Sequence, residues 1–304
     1  MPRPSLRFVT WNLFHGRDGL PGLGATRRST WRGVPEDDGS HLHVNRKLTP
    51  HMARLLAGLA PDVCALQEVP TAAIGQIARI TGMRAVWTTT GPLIGPRRVR
   101  DALAAANPDL WRTHEGNANV ILMAPGLSLE GQVHSLRLNP LRGIVRDHRR
   151  LGLSAGELVR YIPEPRRVVI ARLRTAGGVA LTVGCTHCHN ARHPEVVGAE
   201  IARAADAVRV VAAGDPAVLA GDLNAPPSHP AFAALAAQGW EGADPAPGMG
   251  IDRILHRGME AAAPARRRDP ADRDLGVAWR GRERRIRLSD HDPVTVTLRV
   301  RGSA

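Results

Sequence analysis

A carboxylate and an amide two residues apart, Asp222 and Asn224, follow the apolar run AVLAG at residues 217–221. An unbroken apolar run reads as a buried strand, and in open α/β sheets ligands and catalytic groups gather at strand ends. Residues two apart on an extended chain point the same way, so this pair suits a metal-bound phosphate. The same residues would serve as a turn that satisfies backbone groups, the ordinary role of Asp-Leu-Asn after a strand. Recurrence decides between the two. Other apolar runs close at Asn12, at Glu68, at His187 with Asn190 and at Asp252, and Asp290-His291 introduce the last one. Together they describe a polar site assembled along one edge of a sheet.

Those residue types fit one kind of chemistry. Phosphodiester hydrolysis develops charge on phosphoryl oxygens and on the leaving alkoxide, so it needs a hard cation and fixed donors more than a covalent nucleophile. Mg²⁺ prefers oxygen ligands and keeps several waters, so one or two protein groups hold it. A base is still required. A histidine whose second ring nitrogen meets a carboxylate can supply it, and Asp252 with His291 could form such a dyad.

The motifs behind these strand ends run in order: TWN at residues 10–12, LQE at 66–68, GNAN at 116–119, THCHN at 186–190, GDLN at 221–224, GIDRIL at 250–255 and SDHDPV at 289–294. Each is weak alone, but GDLN and SDH together with a strand-end Glu and a first-strand Asn are specific. From about residue 6 to residue 300 the chain resembles the endonuclease/exonuclease/phosphatase superfamily, with its deoxyribonuclease-I-like fold. The resemblance implies an α/β fold, a four-layer sandwich of two mixed β-sheets packed face to face with helices outside. It implies that Asn12 and Glu68 bind Mg²⁺ (or Mn²⁺), with Glu68 the principal ligand and Asp290 an additional acid near the metal. Asp222 and Asn224 match the residues that orient the attacking water and hold the scissile phosphate. Asp252 resembles the carboxylate that fixes the catalytic histidine, here His291. His187 falls where a relative donates to the phosphate, and Asn190 matches a phosphate-contacting amide. Phe14 stands where several relatives carry an acid, so a second metal site is not expected.

The family covers several substrates, so the fold does not choose among them. The first reading is a metal-dependent, nuclease-like phosphodiesterase on nucleic acid. The alternative is a phosphatase or phospholipase-like phosphodiesterase acting on a lipid headgroup, inositol phosphate or nucleotide. A third is a catalytically silent binding protein, which the full set of acid, amide and histidine positions argues against.

Charge favours the first. The formal net charge is +13 over 304 residues, which attracts polyanions. Aromatics make up 3%, which argues against a broad base-stacking platform. Basic clusters occur at Arg97, Arg98 and Arg100, at Arg142, Arg146, Arg149 and Arg150, at Arg266 to Arg268 and from Arg280 to Arg287. A charge run is ordinarily a solvated face, and a phosphate-backbone role is its rival. Arg166 and Arg167 immediately precede a strand and are the best phosphate-binding candidates of the set. His15, His41, His43 and His51 have no convincing metal spacing and read as loop or surface histidines.

Positioning these groups requires an alternation of strands and helices. Strands are expected at 6–13, 63–68, 85–89, 119–123, 168–174, 179–184, 217–221, 250–255 and 292–300, and helices at 46–58, 71–80 and 194–211. Gly177-Gly178 marks a hairpin. One domain across 1–304 is expected, with basic insertions near 91–116, 139–167 and 264–287, the second of them irregular. Cys185 and Cys188 fit a haem-attachment or zinc pattern, but on a continuing strand they would face opposite sides and could not grip one metal. Three cysteines leave one unpaired in any disulfide scheme, which suits a reducing compartment. No segment approaches a membrane span and no leader-like run opens the chain, so a cytoplasmic location is expected.

Overall fold

Alternation of side chains along each strand decides which layer a residue joins. The computed structural model describes residues 5–18, 35–90, 96, 99, 117–156, 165–190, 193–242 and 250–301. Its strands in chain order begin with β1 (Ser5–Asn12), β2 (Glu36–Asp37), β3 (Leu42–His43), β4 (Val63–Pro70), β5 (Arg84–Thr89), β6 (Asn117–Met123), β7 (Leu127–Arg137) and β8 (Arg167–Thr175). They continue with β9 (Ala180–His187), β10 (Ala217–Asp222), β11 (Asp252–Arg257), β12 (Met259–Ala261), β13 (Arg266–Arg267), β14 (Asp274–Trp279), β15 (Arg282–Arg287) and β16 (Val294–Val300). The α-helices are α1 (Thr49–Gly58), α2 (Ile74–Thr81), α3 (Leu141–Leu151), α4 (Pro194–Ala212) and α5 (Pro230–Ala236).

One sheet runs β12-β16-β1-β4-β6-β5, with β13 also paired to β16; β1 and β4 are parallel and their other neighbours antiparallel. The second runs β11-β10-β9-β8-β7, with only β9 and β10 parallel. Leu6 and Phe8 of β1, Val63 and Ala65 of β4 and Ile121 of β6 pack against Val169 of β8, Val183 of β9 and Val218 and Ala220 of β10, which makes the core between the sheets. The intervening residues Val9, Trp11, Cys64 and Leu66 turn outward onto Met52, Leu56, Ile74 and Ile77 of α1 and α2. Across the molecule Val168, Ile170 and Leu219 meet Ile201 and Val208 of α4 and Phe232 of α5. Helix, sheet, sheet, helix is the four-layer sandwich expected from the sequence. Each fully buried aliphatic side chain stabilises it by roughly 1.5–3 kcal/mol.

Two segments depart from expectation. Residues 139–167 read as irregular in the sequence, yet α3 occupies Leu141–Leu151. Gly143 and Ile144 supply its buried face, too short an apolar signal to stand out among four arginines. Strand β7 has no counterpart among the expected strands, because Gly131 at φ 67° and a register shift between Glu130 and His134 interrupt its alternation. The charged stretch 264–287 holds β13 and the β14–β15 hairpin. Cys185 belongs to the core between the sheets and Cys188 to the layer beneath α4, so the two thiols lie on opposite faces. The insertion at 91–116 and its Arg97, Arg98 and Arg100 lie outside the described residues, apart from 96 and 99. Among the described residues no helix is long and apolar enough to cross a membrane.

Candidate active site

Inward-facing series on five strands turn polar at one rim. Leu6 and Phe8 lead to Thr10 and Asn12; Val63 and Ala65 lead to Gln67; Val183 and Cys185 lead to His187; Val218 and Ala220 lead to Asp222; and Asp252 precedes Ile254. Register sets them level, since Asn12 pairs with Gln67, and Asp222 pairs with both His187 and Asp252. Gln67 and Thr10 form the floor. The Gln67 Nε2 donates to Thr10 Oγ1 at 3.2 Å and to the Ala65 carbonyl at 2.9 Å, and meets Cys185 Sγ at 3.3 Å.

Strict alternation would send Glu68 outward with Leu66. Instead β4 shifts register between Leu66 and Val69, and Glu68 takes φ 51°. A bulge of this kind re-aims one side chain at the cost of a strained backbone. Glu68 thereby reaches Asn12 Nδ2 at 3.2 Å, His15 Nε2 at 3.1 Å and His187 Nδ1 at 3.7 Å.

The Gly-Asp-Leu-Asn segment is both turn and site. Gly221 has φ 153°, and a Cβ there would lie 1.8 Å from the Thr186 carbonyl oxygen, so only glycine lets β10 approach β9 at this level. Asp222 Oδ1 accepts the Asn224 backbone N–H at 3.0 Å, while Oδ2 faces Asn12 Nδ2 at 3.1 Å, His187 Nε2 at 3.4 Å and His291 Nε2 at 3.7 Å. The two oxygens of one carboxylate serve the two roles. Asn224 donates from Nδ2 to the Cys188 carbonyl at 2.8 Å, which ties its loop to the His187 strand end.

His291 is fixed on three sides. Its Nδ1 meets Asp252 Oδ2 at 2.7 Å, its backbone N–H donates to Ser289 Oγ at 3.1 Å, and its carbonyl accepts Trp11 Nε1 at 2.7 Å. Ser289 Oγ in turn donates to the Asn12 carbonyl at 2.6 Å. Beneath the loop the buried Arg273 donates to the carbonyls of Leu288 and Ser289 and to Asp292 Oδ1. Asp290 Oδ1 stands 3.9 Å from His291 Nε2.

Burial and neighbouring charge sort the protons. Burial raises the Glu68 carboxyl, but the neighbouring imidazoles of His15 and His187 and the Asn12 hydrogen bond outweigh it and hold it at about 2. Burial and the Asp252 carboxylate push Asp222 up to about 7. Burial disfavours the His291 cation, yet the bond to Asp252 and its charge lift that imidazole to about 10. Burial and the Arg166 charge hold His187 well below the usual imidazole range. Burial, reinforced by the Glu68 charge, raises Asp290. The two imidazoles are thus pushed opposite ways, His291 toward its cation and His187 away from it.

Asn12, Glu68, His187, Asp222, Asp252, Asp290 and His291 thus converge. Asn12 presents Nδ2 to the carboxylates, and its Oδ1 accepts the Phe14 N–H at 3.0 Å, so it bridges Glu68 to Asp222. Arg166 acts on His187 through its charge. Arg167 turns its guanidinium toward Ser135 Oγ at 3.4 Å, and its carbonyl accepts Asn119 and Thr186. Asn190 is exposed, and no hydrogen bond joins it to the cluster among the described residues. His15, expected to be a loop histidine, is a member of the site. Phe14 and His15 both take left-handed backbone, which folds the ring back over Glu68 and sets Nδ1 2.9 Å from Asn117 Oδ1. His189, which has no role in the sequence reading, is buried and bonded through Nδ1 to Glu200 Oε1 at 2.6 Å.

The model of the Endonuclease/Exonuclease/phosphatase family matches residues 9–291, and the chain belongs to that family. Its members are hydrolytic phosphoesterases. Among solved structures it is similar to an endonuclease/exonuclease/phosphatase family protein from Bacteroides thetaiotaomicron, at 13% identity and TM-score 0.64, covering 99% of this chain and 100% of that one. A mannosyl-6-phosphatase of the same organism gives 14% identity and TM-score 0.63, covering 96% and 99%. The human Nocturnin catalytic domain with bound sulfate gives 13% and 0.60, covering 98% and 94%. At such identities these likenesses establish the fold. No curated protein matches the sequence.

Proposed function

We propose that this chain is a divalent-metal-dependent hydrolase that cleaves a phosphodiester, of nucleic acid in the first instance, by in-line attack of water. The observation that carries the proposal is the line Asp252–His291–Asp222, in which one partly buried imidazole meets a carboxylate at 2.7 Å and faces a second at 3.7 Å. Asp222, with Asn224 beside it, orients the attacking water and accepts its proton. His291 donates to a phosphoryl oxygen where negative charge builds up, and Asp252 keeps that ring charged and aimed. Neutral His187 donates a further N–H. Arg166, Arg167 and Asn190 remain proposed contacts along the substrate's phosphates. The silent-binder alternative would not call for such tuned protons.

Two groups of residues could hold a metal. Asp222, Asp252 and His291 place ligand atoms within 4.8 Å of one another, but His291 Nδ1 and Asp252 Oδ2 are already taken up with each other at 2.7 Å. Glu68 and Asp290 fit better: Glu68 is ionised, and its charge raises Asp290, a repulsion that a hard cation relieves. Mg²⁺ (or Mn²⁺) bound there would neutralise charge on the phosphoryl oxygens. We extend the proposal to a single domain over the whole chain. The three free, buried cysteines are consistent with a cytoplasmic setting.

A substrate panel tests this, with plasmid DNA, RNA, phospholipid and small phosphomonoesters incubated with Mg²⁺, Mn²⁺ or EDTA. Nucleic acid should be cleaved with metal and spared in EDTA, and His291→Ala should lose on the order of 10²–10⁴-fold in rate. Cleavage confined to monoesters or phospholipid would move the assignment to the alternative substrates, and a His291→Ala enzyme as active as wild type would end the mechanism.

A further inference from the structure

Resting on the nucleic-acid reading above, we infer that α3 is a docking surface for the phosphate backbone of the substrate, beside the catalytic rim. Four arginines fall within the 11 residues of this helix. Leu141, Arg142, Val145, Arg146, Arg149 and Arg150 are all exposed, while Gly143 and Ile144 are buried. At 100° per residue the four arginines occupy one solvent-facing half. No acidic group pairs with Arg142, Arg149 or Arg150 among the described residues.

The helix is tethered at the site. Just before it, the Leu138 N–H donates to the Arg166 carbonyl at 2.7 Å and Asn139 Oδ1 accepts the Arg166 N–H at 2.8 Å. Arg166 is the residue whose charge bears on His187. Gly143 and Ile144 line a small cavity with His189, two positions after His187, and with Glu200 and Arg203 of α4. The positive charge of Arg166 thus continues along α3. Eleven residues span about 16 Å, the rise of about five nucleotides of one B-form strand.

Guanidinium groups grip phosphate oxygens bidentately, where an ammonium acts as a point charge. The rival occupant is an anionic lipid surface, because Leu141 is 53% and Val145 49% exposed. Two aliphatic side chains at one margin, with no aromatic residue in the helix, give little area to insert between headgroups. The four arginines are the larger feature, and a polyanion with regularly spaced phosphates matches them.

The test measures binding, in EDTA so that nothing is cleaved, of fluorescent single-stranded and duplex DNA about 20 nucleotides long across a salt series. Vesicles of phosphatidylcholine with phosphatidylserine run beside it. Three substitutions are combined, Arg142→Gln, Arg149→Gln and Arg150→Gln, which retain helix propensity; Arg149→Glu is a second variant, and the thermal midpoint reports folding. The combined variant should bind duplex at least tenfold more weakly at low salt, with a slope of log affinity against log salt shallower by about 2–3, and Arg149→Glu should take away about 1. If wild type cleaves DNA while both folded variants bind it with unchanged affinity and slope, the helix assignment is wrong and the nuclease reading stands. If wild type neither binds nor cleaves nucleic acid yet hydrolyses a phosphomonoester, the nuclease reading itself fails and takes this one with it. Vesicle binding lost in the variants, with DNA binding intact, would overturn the inference in favour of lipid.

Discussion

Nδ1 of His291 lies 2.7 Å from Oδ2 of Asp252, and Nε2 of the same ring lies 3.7 Å from Oδ2 of Asp222. One imidazole is thus gripped by one carboxylate and faces another, and the Asp252 charge raises the cost of ionising Asp222. In the proposed mechanism Asp222 loses its proton to activate water, and His291 keeps its own. The rate should therefore rise with pH as Asp222 ionises near 7 and fall as His291 deprotonates near 10, giving a bell. Asp252→Asn removes the charge that raises both groups, so both limbs should move to lower pH. A kcat/KM profile on a small diester with saturating Mg²⁺ reads this directly; limbs that stay in place would detach Asp252 from the titration.

Asp222 also makes stability depend on pH. Its pKa is about 7 in the fold against 3.8 for the free group, so between these values the folded state holds a proton that the unfolded chain has released. The associated stability is complete below the lower value and is lost as pH rises through the higher one. Asp222→Asn has no such proton to lose. In EDTA, urea titrations should show the variant gaining on wild type by on the order of a few kcal/mol between about pH 4 and pH 8. A constant difference across that range would mean that Asp222 is not held protonated.

Strand ends are the legible part of this site. Asn12, His187, Asp222 and Asp252 are plain in the sequence because each continues an alternating inward series that begins with residues such as Phe8, Val183, Val218 or Ile254. Glu68 is found through its motif, since strict alternation would turn it away; a register shift brings it in. His15 is not legible, because its place depends on two consecutive left-handed residues, Phe14 and His15, that no period describes. Helix α3 is hidden by composition. Its solvent face carries four arginines, and the signal that usually marks a helix is an apolar stripe.

Gly221 is a second place where sequence and geometry meet in one atom. A Cβ at this position would sit 1.8 Å from the Thr186 carbonyl oxygen, and the backbone φ of 153° is one that other residues rarely adopt. Gly221→Ala should destabilise by roughly 3 kcal/mol or more and displace Asp222. At Gly75 in α2 an added Cβ would meet nothing within 4 Å, so Gly75→Ala should stabilise by about 0.5–1 kcal/mol. Equal thermal midpoints for the two variants would show that β10 does not approach β9 so closely.

Glu68 gives a metal prediction whose readout is not activity. It is ionised, and its oxygens are held by Asn12 at 3.2 Å and His15 at 3.1 Å, so the carboxylate is already oriented for a cation. Mg²⁺ at a hundredfold excess over its Kd should stabilise wild type by about 2.7 kcal/mol, seen as a raised thermal midpoint. Glu68→Gln keeps the shape but removes the charge, and Asp290→Asn removes the second carboxylate. The first should abolish the Mg²⁺-dependent rise and the second should reduce it, while Asp252→Asn should leave most of it in place. If Asp252→Asn abolished the rise and Glu68→Gln did not, the cation would belong with Asp222, Asp252 and His291, and His291 could no longer be the phosphate donor.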